Sequence, residues 1–308
     1  MRLVQYDNGG QVGVGVLVGD QVRYAGYDDM LDFIRDGERA LDRARVAKER
    51  GRPVQYDRLI APITNSGKIF GSGPNYRSHG EEDPEWVPAD EPMWDFIKLT
   101  SSVTGPYDDI VIPPADDVIK RLSGGAAKFS EHGFAVDWEV EFAVVIGRTA
   151  KNVRRENWLD HVFGYTIIND VGARSLQFHF GQRDLAKNFD TFCPMGPCIV
   201  TPDEIPDITR VQIESRVNGE SRQSELVGDQ LNLPDVAIEW ISSIIRLDPG
   251  DILSTGTPAG CGTFMEPPQF LKPGDVVRCD ATGIGHIENH VVAGNTRTRP
   301  SEAMASAG

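Results

Sequence analysis

Short runs of alternating apolar and polar residues, broken by glycine and proline, fill the chain from Lys68 onward. They predict strands at 68–71, 94–99, 109–112, 137–147, 162–168, 196–201, 210–217, 251–255, 275–281 and 285–293. Helical spacing is clearest at 153–159, 171–185 and 233–246. Ahead of these lie two short alternating runs, Gln11 to Leu17 and Gln21 to Ala25. The Gly19-Asp20 turn between them predicts a hairpin. From Asp28 to Arg50 the pattern becomes helical and charge-rich, with Met30, Leu31, Phe33, Ile34, Leu41 and Val46 on the apolar side. The pattern as a whole predicts a β-rich α+β protein with a mixed-sheet body and few helices. Its expected divisions are a small N-terminal α/β module over 1–62, a main domain over 63–298 and a disordered tail over 299–308. Residues 114–136 form a long excursion of the kind that is usually functional or mobile.

Within this frame one stretch carries unusual chemistry. Glu139 and Glu141 stand two residues apart in the run from Val136 to Ile146, which reads as one strand. At strand period both carboxylates share a face, while Val140, Phe142, Val144 and Ile146 take the other. Two adjacent carboxylates repel, so they need either solvent or a cation. Asp170 ends a second apolar run, Val162 to Ile168, 29 residues after Glu141. A third carboxylate from that strand would complete an all-oxygen site suited to Mg²⁺ or Mn²⁺. The alternative is a solvated acidic edge.

Three further segments carry candidate groups. If Asn75 opens a helical turn, His79 and Glu82 fall at i and i+3 on one face. A carboxylate there fixes the imidazole tautomer and makes the pair a general base for water. Lys187 lies between a helix and Cys193-Pro194, and by itself reads as an exposed lysine. Ser254 to Gly262 follows a strand, and its backbone N–H groups and hydroxyls suit a carboxylate or an enolate oxygen.

Composition narrows the possibilities. The chain has 308 residues with a formal net charge of -15, which argues against nucleic acid and against an anionic membrane surface. It has no apolar run of the ~18 residues that a membrane span needs. Its N-terminus lacks a signal-peptide core, so a cytoplasmic setting is expected. The four cysteines, Cys193, Cys198, Cys261 and Cys279, fit no zinc spacing and are expected to be buried thiols, with Cys193 or Cys198 as a candidate pocket-lining residue.

Read in order, the motifs resemble the fumarylacetoacetate hydrolase family over about Lys68 to Val292. They run from Asn75-Tyr76-x-x-His79-x-x-Glu82 through Phe96-Ile97-Lys98 and Asp137-Trp138-Glu139-Val140-Glu141 to Asn169-Asp170. Ala173-Arg174-x-x-Gln177, Lys187-Asn188-Phe189-Asp190, Val217-Asn218-Gly219-Glu220, Thr255-Gly256-Thr257-Pro258 and Lys272-Pro273-Gly274-Asp275 follow. The resemblance implies a β-roll, usually a homodimer, with Mg²⁺ or Mn²⁺ (Ca²⁺ as a further candidate) on Glu139, Glu141 and Asp170. It implies that His79 and Glu82 activate water on a lid segment and that Lys187 stabilises an enolate. Tyr76, Arg174, Gln177 and Thr257 are then expected at a small anionic dicarbonyl substrate.

The expected activity is metal-dependent C–C hydrolysis of an acylpyruvate- or fumarylpyruvate-like acid, as in aromatic catabolism. The alternative is an enol–keto isomerase or decarboxylase of oxaloacetate-like 2-oxo diacids. Pro74, Ser175 and the 114–136 excursion depart from the family pattern and are expected near the substrate mouth. Trp86, Trp94, Phe178, Phe180 and Met265 are candidates for an apolar pocket wall.

Overall fold

The computed structural model describes residues 1–84, 86–88, 92, 94–114 and 129–294. The expected tail and most of the 114–136 excursion lie outside these residues. An 11-stranded sheet forms the frame, and its main path runs through Gln21–Tyr27, Gln11–Val18, Arg2–Asn8, Cys193–Val200, Val162–Asn169, Val140–Ile146, Ile252–Ser254, Ile69–Ser72 and Trp94–Lys98. Most neighbours are antiparallel, but Ile252–Ser254 runs parallel to Ile69–Ser72, so the sheet is mixed. A 5-stranded sheet, Glu220–Leu226, Gln212–Val217, Val276–Ala281, Gly285–Ala293 and Ile110–Ile112, packs over one face. The architecture is β-rich α+β, as the pattern predicts.

Val140–Ile146 is buried along its whole length because both of its faces meet a core. Val140, Phe142, Val144 and Ile146 join Ile213, Val277, Cys279 and Ile287 of the second sheet. Ala143 and Val145 join Met30, Phe33 and Ile34 of the N-terminal helix on the opposite side. That helix, Met30–Asp36, begins on the Asp29 side chain, which accepts from Asp32 N. It stops at Gly37, where φ is 59°, and a second helix, Glu38–Arg50, starts. The single helical stretch expected over 28–50 is therefore two helices, since a positive φ ends the α ladder.

Other elements also differ from expectation. Arg2–Asn8 is a strand, and it pairs with both Gln11–Val18 and Cys193–Val200, so the N-terminal hairpin extends the main sheet. The expected helix at 153–159 is a 3₁₀ helix, Arg155–His161, with no buried residue to anchor an α face. The stretch 171–185 divides into the short strand Gly172–Ala173 and the helices Arg174–Phe180 and Asp184–Lys187. The helix expected at 233–246 spans Pro234–Ile244, with proline at its first turn. Among the described residues no helix is long and apolar enough to cross a membrane.

Candidate metal and proton-transfer site

The site lies where Val140–Ile146 begins and where its neighbours Val162–Asn169 and Ile252–Ser254 end. The expected single strand over 136–146 is interrupted at Trp138-Glu139, and side chains replace the ladder there. Asn169 Oδ1 accepts from Glu139 N at 3.0 Å, and Gln223 Oε1 accepts from Val140 N at 3.0 Å. The interruption leaves the carboxylates together. One oxygen from each of Glu139, Glu141 and Asp170 lies within 4.8 Å of the other two, and all three residues are buried.

Three cations surround this cluster. Lys187 Nζ reaches Glu139 Oε2 at 2.7 Å and Asp170 Oδ2 at 2.8 Å. Lys98 Nζ donates to Asp170 Oδ1 at 2.6 Å and to the Lys187 carbonyl at 2.7 Å. Arg174 meets Glu139 Oε1 at 2.5 Å and donates through Nε to Asp137 Oδ2 at 2.9 Å. Lys98 and Asp137 matter as much as the predicted residues; both stand inside the family-like motifs Phe96-Ile97-Lys98 and Asp137-Trp138-Glu139, but no local pattern gives them a partner.

Four buried carboxylates, Asp137, Glu139, Glu141 and Asp170, thus face three buried cations, Lys98, Arg174 and Lys187. One negative charge is left over, and it falls on Glu141, whose Oε2 accepts from Ser254 Oγ at 2.6 Å and Gly256 N at 3.0 Å but has no ion pair among the described residues. Asp170 Oδ2, fully buried, has only the Lys187 ammonium at 2.8 Å, which it shares with Glu139. A hard cation on Glu139, Glu141 and Asp170 would compensate the charge left on Glu141, so the three clustered oxygens fit a divalent metal with oxygen ligands.

The titration behaviour follows from this imbalance. Burial, then Asp170 and Glu139, push the Glu141 carboxyl up to about 8. Burial alone would raise Glu139 too, but Lys187 and Arg174 hold it well below the usual carboxylate range. Burial works against the Lys187 ammonium, yet Asp170 and Glu139 raise it above its ordinary value. In metal-free protein Glu141 therefore carries a proton below about pH 8, and an incoming ion must displace it. Mn²⁺ affinity is expected to rise by up to about tenfold per pH unit as pH climbs toward that value. Calorimetry in buffers of different ionisation enthalpy should find roughly one proton released per ion at neutral pH. A pH-independent affinity would contradict the assignment.

The expected His79–Glu82 pair is formed. His79 Nδ1 lies 2.7 Å from Glu82 Oε2, and Glu82 Oε1 accepts from Gly260 N at 2.8 Å. The bond at Nδ1 leaves Nε2 as the nitrogen available for proton transfer. The His79 ring lines a cavity of about 130 Å³, together with Glu139, Glu141, Arg174, Gln177, Lys187 and Thr257. Tyr76 lies outside the cavity lining; it is fully buried behind, with its hydroxyl 3.3 Å from Gln230 Nε2.

The glycine-rich turn after Ile252–Ser254 places Thr257 on the cavity wall and performs a second task as well. Its N–H groups hold the protein's own carboxylates. Gly256 N serves Glu141, Gly260 N serves Glu82, and Gly262 N and Thr263 N serve Asp137 at 2.8 and 3.0 Å. The turn needs its glycines: Gly260 has φ +108°, and a Cβ there would lie 1.9 Å from the Arg222 carbonyl.

Of the apolar candidates, Trp86 and Phe178 line the cavity, joined by Phe96 and Phe264; Trp94, Phe180 and Met265 do not. Pro74 is on the wall, as expected. Ser175 is not: it is buried and donates to the Gly133 carbonyl at 2.9 Å. Cys193 and Cys198 are core residues and do not line the cavity.

The family model described as fumarylacetoacetate (FAA) hydrolase C-terminal matches residues 68–292. The chain belongs to the fumarylacetoacetate hydrolase family. A mitochondrial oxaloacetate tautomerase of Xenopus laevis is 41% identical over 268 residues, covering 85% of this chain and 78% of the relative. Among solved structures, the fumarylacetoacetate hydrolase of Exiguobacterium antarcticum superposes with a TM-score of 0.78 at 32% identity, covering 96% of this chain and 100% of that one. A maleylpyruvate hydrolase from Sphingobium sp. SYK-6, in complex with manganese(II) and pyruvate, does so with a TM-score of 0.76 at 29% identity and the same coverage. As a member of this family, the protein is an enzyme of the fumarylacetoacetate hydrolase type.

Proposed function

We infer that the protein interconverts the keto and enol forms of a small, oxaloacetate-like 2-oxo dicarboxylate, with a divalent metal on Glu139, Glu141 and Asp170. The observation that carries this reading is the cavity. It measures about 130 Å³, well below the several hundred Å³ typical of larger ligands, and its wall brings the His79–Glu82 pair to the carboxylate cluster beside Lys187, Arg174 and Arg183. The tautomerase relatives support the same reading.

The chain's own residues then act as follows. Arg183, paired with Asp95 and 29% exposed at the cavity, presents a cation to a substrate carboxylate. His79, its tautomer fixed by Glu82, takes a proton from the carbon beside the 2-oxo group. The electron pair of that C–H bond forms the C=C bond, and the carbonyl oxygen takes up negative charge. The Lys187 ammonium stabilises this charge at close range. The proton held on His79 passes to that oxygen and gives the enol. When bound, the metal supplies Lewis-acid polarisation of the carbonyl. Trp86, Phe96 and Phe264 keep bulk water from the reacting carbon.

A second reading, hydrolysis of a C–C bond, draws support from the same His79–Glu82 pair, which is equally suited to deprotonating water, and from the maleylpyruvate hydrolase likeness. An ultraviolet assay with Mg²⁺ or Mn²⁺ on oxaloacetate and on a panel of 2,4-dioxo acids separates the two. EDTA-sensitive enol–keto exchange without new products is expected. Release of pyruvate with a second acid would replace the tautomerase by the hydrolase, and CO₂ would mark a decarboxylase.

Two further expectations accompany this reading. Four buried free thiols suit a reducing compartment, cytoplasm and mitochondrial matrix alike. A homodimer should appear by light scattering as twice the mass of the chain.

A further inference from the structure

Beside the oxygen cluster stands a second group of ligating side chains with different chemistry. His79 Nδ1 is 2.7 Å from Glu82 Oε2 and 4.0 Å from Cys261 Sγ. One ligand atom from each of these three residues lies within 4.8 Å of the others. We propose that His79, Glu82 and Cys261 form a thiophilic metal site that takes Zn²⁺ and, when filled, switches off the His79–Glu82 pair. The effect on turnover rests on the proton-transfer reading above, whereas the binding does not.

The distances suit this assignment. Tetrahedral Zn²⁺ with ordinary Zn–N, Zn–O and Zn–S lengths places its N and S ligands about 3.5 Å apart and its N and O ligands about 3.3 Å apart. Each observed separation needs to change by only about half an ångström to meet these values. The ligand set is a mixed N, O and S one, which favours zinc, whereas the three carboxylates nearby favour Mg²⁺ or Mn²⁺. The two sites should therefore sort ions by softness.

Supporting contacts fix the ligands. Glu82 Oε1 is held by Gly260 N at 2.8 Å, so Oε2, which faces His79 Nδ1 at 2.7 Å, is the oxygen placed to turn to an ion shared with the imidazole. Gln223 Nε2 lies 3.7 Å from Cys261 Sγ, a polar neighbour for a thiolate, with its two N–H groups directed at Thr257 and Pro258. Gly260, crowded against the Arg222 carbonyl, keeps the loop carrying Cys261 in place. The His79 and Glu82 side chains keep 12% and 17% of their surface exposed, which gives an ion an entry path.

Binding exchanges protons for the ion. The Cys261 thiol loses its proton to solvent, as does Nδ1 if it carries one, and sulfur, nitrogen and oxygen each donate a lone pair to Zn²⁺. No oxidation state changes. Glu82 then no longer orients the imidazole, and the pair cannot accept a substrate proton.

Co²⁺, a spectroscopic stand-in for Zn²⁺, tests the site in the full-length protein with excess Mg²⁺ present. One equivalent of Co²⁺ should produce a thiolate-to-cobalt charge-transfer band that Zn²⁺ removes and Mg²⁺ does not. The band should be missing from Cys261→Ser, and Zn²⁺ should inhibit that variant at least about tenfold more weakly than wild type. A band in protein that turns over no substrate would uphold this site and sink the proposed activity. Absence of the band from wild type would overturn the proposal, and so would a band of unchanged strength in a folded Cys261→Ser. Should that variant fail to fold, the wild-type band and its loss in His79→Ala decide the matter.

Discussion

His79→Ala is expected to lower kcat by roughly two to four orders of magnitude, the usual contribution of a positioned general base. Mn²⁺ binding should survive, because His79 touches none of Glu139, Glu141 and Asp170 through a hydrogen bond or ion pair. Its nearest polar and ring contacts include Glu82, Cys261 and the Phe264 ring, whose centroid is 5.6 Å away, and it reaches Glu139 only through longer-range electrostatics. Glu82→Gln should also lower kcat with Mn²⁺ binding kept, since its amide oxygen can still accept from Gly260 while its NH2 faces Nδ1 and favours the tautomer with the proton on Nε2. The pair of variants therefore separates proton transfer from metal binding. Steady-state rates beside Mn²⁺ titrations check this: equal losses of turnover and of Mn²⁺ affinity in His79→Ala would mean that the imidazole belongs to the metal site.

Lys98→Met is expected to cost about 3–5 kcal/mol of stability, the usual range for removing one partner of a buried ion pair. The Lys98 and Asp170 side chains are both fully buried, at 2.6 Å. Without the ammonium, Asp170 Oδ1 loses its donor, and the four carboxylates face two cations instead of three. The methionine side chain fills the stem volume, so the effect is one of charge and hydrogen bonding more than of packing. Mn²⁺ should return part of the loss, because an ion that binds only the folded state stabilises it by mass action. Denaturant unfolding with and without Mn²⁺ measures both quantities. A loss under about 1 kcal/mol would show that Asp170 does not depend on Lys98.

Much of the site was legible in the sequence. Glu139 and Glu141 stand out because charged residues at alternate positions in an apolar run demand a reason, and Asp170 because it closes a second such run. His79 and Glu82 share a face at one-turn spacing, and the structure joins them at 2.7 Å. What sequence could not give is how the charges balance. Lys98 meets Asp170 across 72 residues and Arg174 meets Asp137 across 37, and no local pattern encodes such pairings. Cys261 is buried as expected, but its proximity to His79 depends on how two loops pack and has no local signature.

The polar strand Glu220–Leu226 was missed because it lies at a sheet edge and buries little besides Gln223. That one side chain nevertheless fastens Val140 N, the Thr257 hydroxyl and the Pro258 carbonyl, and so helps set the loop beside the cavity. The Ser254–Gly262 turn was read as a cradle for substrate. Its Thr257 lines the cavity, and its N–H groups also scaffold the site's acids, because a buried carboxylate without donors is costly.

The most direct test of this account is a Mn²⁺ titration of EDTA-stripped protein, with bound ion followed by electron paramagnetic resonance and enol–keto exchange of oxaloacetate measured in the same samples. Glu141→Gln is the informative variant, because the amide can still accept from Ser254 and Gly256 while the charge is removed. The account predicts one bound ion per chain, activity that rises in step with occupancy, and loss of both in folded Glu141→Gln. Exchange that persists after stripping, or Mn²⁺ binding that Glu141→Gln leaves untouched, would contradict it.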